Sequence, residues 1–126
     1  MERIFFILAG VFGFLGVALG AFGAHGLKGM PNIDDRMLEI FETGVRYQMY
    51  HALALLLTAG LISRFPGWQI QLSGWMFVAG IVIFSGSLYI LVLSGARWWG
   101  AVTPIGGVAF LIGWAFLVVA SLTSNS

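Results

Sequence analysis

The residues with the most chemistry in them stand together in Glu42-Thr43-Gly44-Val45-Arg46-Tyr47-Gln48-Met49-Tyr50-His51, which runs straight into Ala52-Leu53-Ala54-Leu55-Leu56-Leu57. On a helix, Glu42, Arg46 and Tyr50 recur every four residues and stack on one face, and Tyr47 and His51 form a second pair about 100° round. His25 closes an earlier apolar run. If the chain folds back after it, His25, Glu42, Arg46, Tyr50 and His51 could form one polar cluster. Three chemistries suit such a set. As a latch, Glu42 neutralises Arg46 while an imidazole holds a loop carbonyl. As a proton or ion path, histidine titrates near neutral pH beside an exchangeable Glu–Arg pair. As a metal site, His25, His51 and Glu42 offer ligands for zinc or iron, but without the HxxxH or HxxE spacing that would make the pattern specific. The latch is favoured. Later apolar runs carry serines, Tyr89 and Trp114 at mid-depth, and no acid or base to continue a path. No nucleophile–base constellation or intramembrane acidic pair can be placed, so no enzyme is expected, and no cofactor is called for.

The surroundings of that stretch are unusually apolar. Of 126 residues, 60% are hydrophobic and 9% charged, too few polar side chains to cover a soluble domain of this size. An integral membrane protein with one small membrane domain spanning 1–126 is expected. A net charge of +1 excludes a basic nucleic-acid footprint, and the lack of any cysteine excludes disulfides, thiolate chemistry and zinc–sulfur sites.

Four apolar runs, at about 4–24, 47–63, 72–94 and 104–122, are long enough to be membrane spans. The first, about 21 residues, is longer than the ~7–15-residue core of a cleaved signal, so a permanent span is expected. Gly13, Gly16, Gly20 and Gly23 recur on one face of it, including the GxxxG of Gly16 and Gly20, which reads as a packing seam. Gly106, Ala109 and Gly113 make a similar face on the last run, and Gly80, Ser87 and Ser94 a heptad on the third. Trp114, too deep for an interfacial belt, is expected to fill the interior. Between runs one and two lie seven of the eleven charged side chains. There Asn32 or Asp34 should cap a short amphipathic helix over about 34–46, with Met37, Leu38, Phe41 and Val45 on one side. Lying along the membrane surface, it would pack on the bundle. Ala9-Gly10-Val11-Phe12-Gly13-Phe14-Leu15-Gly16 and Ala79-Gly80-Ile81-Val82-Ile83-Phe84-Ser85-Gly86 share alanine, glycine, phenylalanine and glycine at one offset, compatible with two duplicated hairpins in parallel orientation. Lys28, Arg36, Arg46 and Arg97 at one end, against Arg3 and Arg64 at the other, predict that both termini face outward.

The fold expected is therefore all-α: a four-helix transmembrane bundle with a short amphipathic interfacial helix between spans one and two. Gly20-Ala21-Phe22-Gly23-Ala24-His25-Gly26-Leu27, Thr43-Gly44-Val45-Arg46-Tyr47-Gln48-Met49-Tyr50-His51-Ala52-Leu53, Phe84-Ser85-Gly86-Ser87-Leu88-Tyr89 and Thr103-Pro104-Ile105-Gly106-Gly107 together resemble the YgdD/YwdK-like family of small bacterial inner-membrane proteins of unknown function. The resemblance covers essentially the whole chain. It implies a four-span protein of the inner membrane and brings no catalytic or binding residues. Membrane lipid is the partner expected, with a homo-oligomer or a membrane-protein partner also compatible. The alternatives to a non-enzymatic protein with a polar latch are a small oligomeric transporter, or an accessory protein binding a lipid, a quinone or a membrane complex through its glycine faces.

Overall fold

The computed structural model describes residues 1–123. Among them the chain is helical, without strands. Helix α1 covers Glu2–Ala21 and runs on through a π-turn, Phe22–Gly26, and a 3-10 turn, Leu27–Gly29. Helix α2 covers Asp35–Leu61, α3 Trp68–Gly80, α4 Gly86–Ser94 and α5 Thr103–Thr123. A π-turn, Ile81–Ser85, joins α3 to α4 without a break, and a 3-10 turn, Arg97–Ala101, precedes α5. Four long helical rods result.

Local chemistry explains the boundaries. Asp34 caps α2, its Oδ1 accepting the Met37 N–H at 2.9 Å. Asn32, at φ 70°, turns the chain before it. The α4 rod stops at Gly95, which adopts φ 75° and donates its N–H to Leu91 O at 2.8 Å, a left-handed C-cap.

One expected boundary is absent. Residues 34–46 do not form a separate surface helix, because α2 is a single helix of 27 residues, about 40 Å long. Its amphipathic start and apolar end share one axis. No proline or left-handed residue falls between Glu42 and His51, so nothing in the chain stops the helix there.

The rods pack as antiparallel neighbours. Gly16 and Gly20 of α1 and Gly23 of the following π-turn face Met49, Val45 and Phe41 of α2, the numbers running in opposite directions. Gly13 has open space before it and takes no part in this seam. On α5, Gly106 lies against the backbone of Phe84 and Gly113 against Phe77, while Gly80 of α3 receives Phe110. Helix α2 sits between these pairs, packing on α1, α3, α4 and the π-turn. The shared letters of runs one and three do not occupy equivalent places. Gly10 and Gly86 face open space, whereas Gly16 and Gly80 are packed against side chains.

The interior is made of three small apolar groups, centred on Phe5 with Leu55, on Phe41 with Leu27, and on Phe77 with Phe110. The exterior is just as apolar. Phe14 is 75% exposed, Leu57 67%, Leu111 69% and Leu122 79%. Water would not tolerate so continuous a hydrophobic exterior, but hydrocarbon would. Three rods, Glu2–Gly29, Trp68–Ser94 and Arg97–Thr123, are long and apolar enough to cross a membrane. The α2 rod is not among them, since Asp35, Arg36, Glu39, Glu42 and Arg46 crowd its first half.

Candidate functional site

The polar residues of α2 divide between two faces. Its buried stripe runs Phe41, Gly44, Gln48, His51, Leu55 and Thr58, at helical spacings of three and four. The stripe of Glu42, Arg46 and Tyr50 lies beside it and faces outward, continuing into the exposed Leu53 and Leu57. Hence the five residues expected to meet do not. Glu42 and Arg46 form an ion pair at 3.1 Å, but both belong to α2, their side chains are 69% and 49% exposed, and the pair ties no second element down. Tyr50 is 53% exposed. His25 lies exposed on the π-turn after α1. Only His51 points inward.

Three hydrogen-bonded knots on the buried stripe do the fastening instead. At Gln48, the amide Nε2–H donates to Phe12 O of α1 at 2.8 Å, and Oε1 accepts the Tyr89 hydroxyl of α4 at 2.7 Å. One side chain thus joins three helices. One turn earlier, the Ser85 hydroxyl donates to Gly44 O at 2.6 Å. The π-turn carries this serine, so the local widening of the helix places a donor over α2. Gly44 also leaves room for the Tyr89 ring, which a Cβ there would meet at 2.9 Å.

One turn later comes His51. Its Nδ1 lies 2.8 Å from Tyr47 O, and the Trp114 indole N–H reaches its Nε2 at 3.1 Å. A carbonyl can only accept and an indole N–H can only donate, so Nδ1 carries the proton and Nε2 is bare. The ring is neutral, with both nitrogens engaged. Its face stacks on Phe110 at 3.6 Å and 9°, and Phe77 and Trp114 pack around it. Trp114 does not fill the interior as expected. It is 43% exposed, sending its N–H inward from the rim. Elsewhere the Ser73 hydroxyl donates to Gly113 O at 2.7 Å, joining α3 to α5, and the hydroxyls of Ser87 and Thr103 meet at 2.6 Å.

These groups are paired with backbone carbonyls or with one another. His51 has no free lone pair for a metal, and among the described residues no three His, Asp or Glu side chains come close enough to hold one. Gln48, Ser85 and Ser73 were not singled out by spacing. A signal for Gln48 existed: it shares a helix face with Gly44, Ala52 and Thr58, small residues typical of a helix–helix contact, whereas leucines fill the face of Arg46.

Apolar rods with polar groups paired between them and an apolar exterior define a helical membrane protein. Comparison with known proteins agrees. The model of a family described as "Protein of unknown function (DUF423)" matches residues 19–107. The chain is 49% identical over 121 residues to the UPF0382 membrane protein YwdK of Bacillus subtilis, covering 95% of this chain and 97% of that one. It is 48% identical over 119 residues to a UPF0382 membrane protein of Staphylococcus aureus, covering 94% and 95%. No solved structure matches. The chain belongs to this family of membrane proteins of unknown function.

Proposed function

We propose that the chain is a non-enzymatic, four-span protein of the inner membrane, an accessory component that works through its lipid-facing exterior. Its buried polar groups serve to hold the helices in register. One observation carries this reading: among the described residues no buried side-chain nitrogen or oxygen lacks a hydrogen-bond partner. The buried Ser85, Ser73 and Thr58 each end on a backbone carbonyl, and Gln48 and His51 have both polar atoms engaged. A proton relay needs groups that can exchange partners, and these are committed.

Support for α2 as the fourth span comes from its second half. Leu53, Leu56 and Leu57 face outward there, a surface suited to acyl chains. From Tyr47 to Leu61 the rod is about 22 Å long, somewhat short of the ~30 Å hydrocarbon layer. Arg46 would then stand just inside the hydrocarbon edge, its stem running up along the helix to bring its charge into the polar layer. Bacterial relatives named as membrane proteins support the inner membrane as the location.

The test is proton flux in proteoliposomes under an imposed pH gradient, comparing the native chain, His51→Ala and protein-free vesicles. All three are expected to leak alike. Flux through the native chain that His51→Ala abolishes would replace the accessory reading with a transporter.

A further inference from the structure

A second feature lies away from the fastened interior. Between the first turns of α2, the end of α4 and the Arg97 turn runs an open groove of about 340 Å³. Its walls are Met37 and Ile40 from α2 and Leu88 and Leu91 from α4, and its mouth carries Arg36 and Arg97 from two different elements. Neither guanidinium has an ion-pair partner among the described residues, where the one ion pair is Arg46–Glu42. Asp34 also lines the groove, but its Oδ1 is taken by the Met37 N–H. Two cations therefore face one anion, whose Oδ1 is committed to the helix cap.

Depth gives the groove its meaning. Arg97 adjoins Trp98, 62% exposed, and aromatic side chains of this kind favour the membrane–water boundary. From Ser94, at the end of α4, down to Leu88 the wall descends about 9 Å along the helix axis. Ile40 lies one turn deeper than Arg36. The mouth thus lies in the headgroup layer and the floor, where Leu88 packs beside Gly44, reaches the edge of the hydrocarbon, polar above and apolar below.

We infer that this groove binds an anionic phospholipid, its phosphate held between Arg36 and Arg97 and the first methylenes of a chain laid against Met37, Ile40, Leu88 and Leu91. Arginine's planar fork suits phosphate oxygens, and the apolar wall excludes a freely hydrated ion as the better occupant. The Thr103 hydroxyl, also at the groove, is already paired with Ser87. This inference rests on the accessory reading above, and specifies the lipid class that reading leaves open.

The experiment uses the full chain, delipidated in detergent and offered phosphatidylglycerol, phosphatidylcholine or inorganic phosphate, with retained lipid counted by native mass spectrometry. Retention of one phosphatidylglycerol per chain, at least tenfold over phosphatidylcholine, is expected. At the strength usual for a basic side chain beside an anionic headgroup, the R36Q/R97Q variant should bind about thirtyfold more weakly, with R97Q alone intermediate. Both side chains are exposed, so folding should persist, and R64Q at the far end serves as the control. Equal retention by native and R36Q/R97Q chains overturns the inference, as does equal retention of the two lipids. Competition by millimolar inorganic phosphate overturns it too, by making the site one for a free anion. None of these failures touches the fourfold crossing or the absence of proton flux, which are measured separately.

Discussion

At Gln48 a single amide makes two hydrogen bonds that tie three helices together, and its removal should be felt accordingly. Gln48→Leu leaves the Tyr89 hydroxyl without its buried acceptor and frees α1 from α2 at Phe12. Hydrogen bonds between membrane helices average about 0.6 kcal/mol and reach about 1.7, so a loss of about 1–2 kcal/mol is expected. Denaturant titration in mixed micelles measures it, and a cycle with Tyr89→Phe isolates the pair. Arg46→Ala makes the contrast. Its ion pair with Glu42 is well exposed and internal to one helix, so the same titration should move by no more than about 0.5 kcal/mol. At His51 the prediction concerns a proton rather than stability. Nitrogen-15 NMR of the labelled ring should report a protonated Nδ1 and a bare Nε2, and Trp114→Phe should shift the Nε2 signal by removing its donor. The sequence pointed to the right helix here but to the wrong face of it. Charge and four-residue spacing drew attention to Glu42, Arg46 and Tyr50, while the working face is marked by an uncharged amide, a glycine and small residues. Polar groups that hold a membrane bundle together are often neutral, because a neutral group costs less to bury.

For the helices as elements, close approach decides which glycines matter. A Cβ at Gly106 would meet the backbone N and Cα of Phe84, at positions no side-chain rotation can relieve. Gly13, by contrast, faces open space. Gly106→Ala should therefore destabilise the bundle by about 1–3 kcal/mol, the usual range for overpacking, whereas Gly13→Ala should stay within about 1 kcal/mol of the native chain and lean towards stabilisation. Thermal unfolding of the two variants in one detergent compares them, and equal losses would remove the seam argument. Gly16, Gly20 and Gly23 receive side chains of α2, while Gly106 and Gly113 also meet backbone, at positions whose regular spacing stands out in the sequence. Two features were not legible there. The π-turn at Ile81–Ser85 has no spacing signature, although two of its residues meet neighbours, Phe84 at Gly106 and Ser85 at Gly44. The continuity of α2 was hidden by its change of polarity at Arg46, which resembles a boundary although no residue there interrupts helical hydrogen bonding.

On the scale of the whole molecule, charge is sorted by end. Lys28 and Glu42 line one groove and Arg36 and Arg97 another, so the antiparallel rods bring these residues to one end, while Arg3 and Arg64 fall at the other. With Arg46 that gives four cations against two, and the richer end should face the cytoplasm. The chain contains no cysteine, so single cysteines can be placed without background. Asn32, Ser63 and Gly100 are exposed and uncharged, and replacing them leaves the charge balance that orients the protein untouched. In intact cells a membrane-impermeant maleimide should label Ser63→Cys and spare Asn32→Cys and Gly100→Cys until the membrane is opened. The reverse pattern would invert the orientation while keeping four spans. Labelling of Asn32→Cys and Ser63→Cys from the same side would mean that α2 does not cross, and its outward leucines would then have to lie against another protein surface instead of lipid.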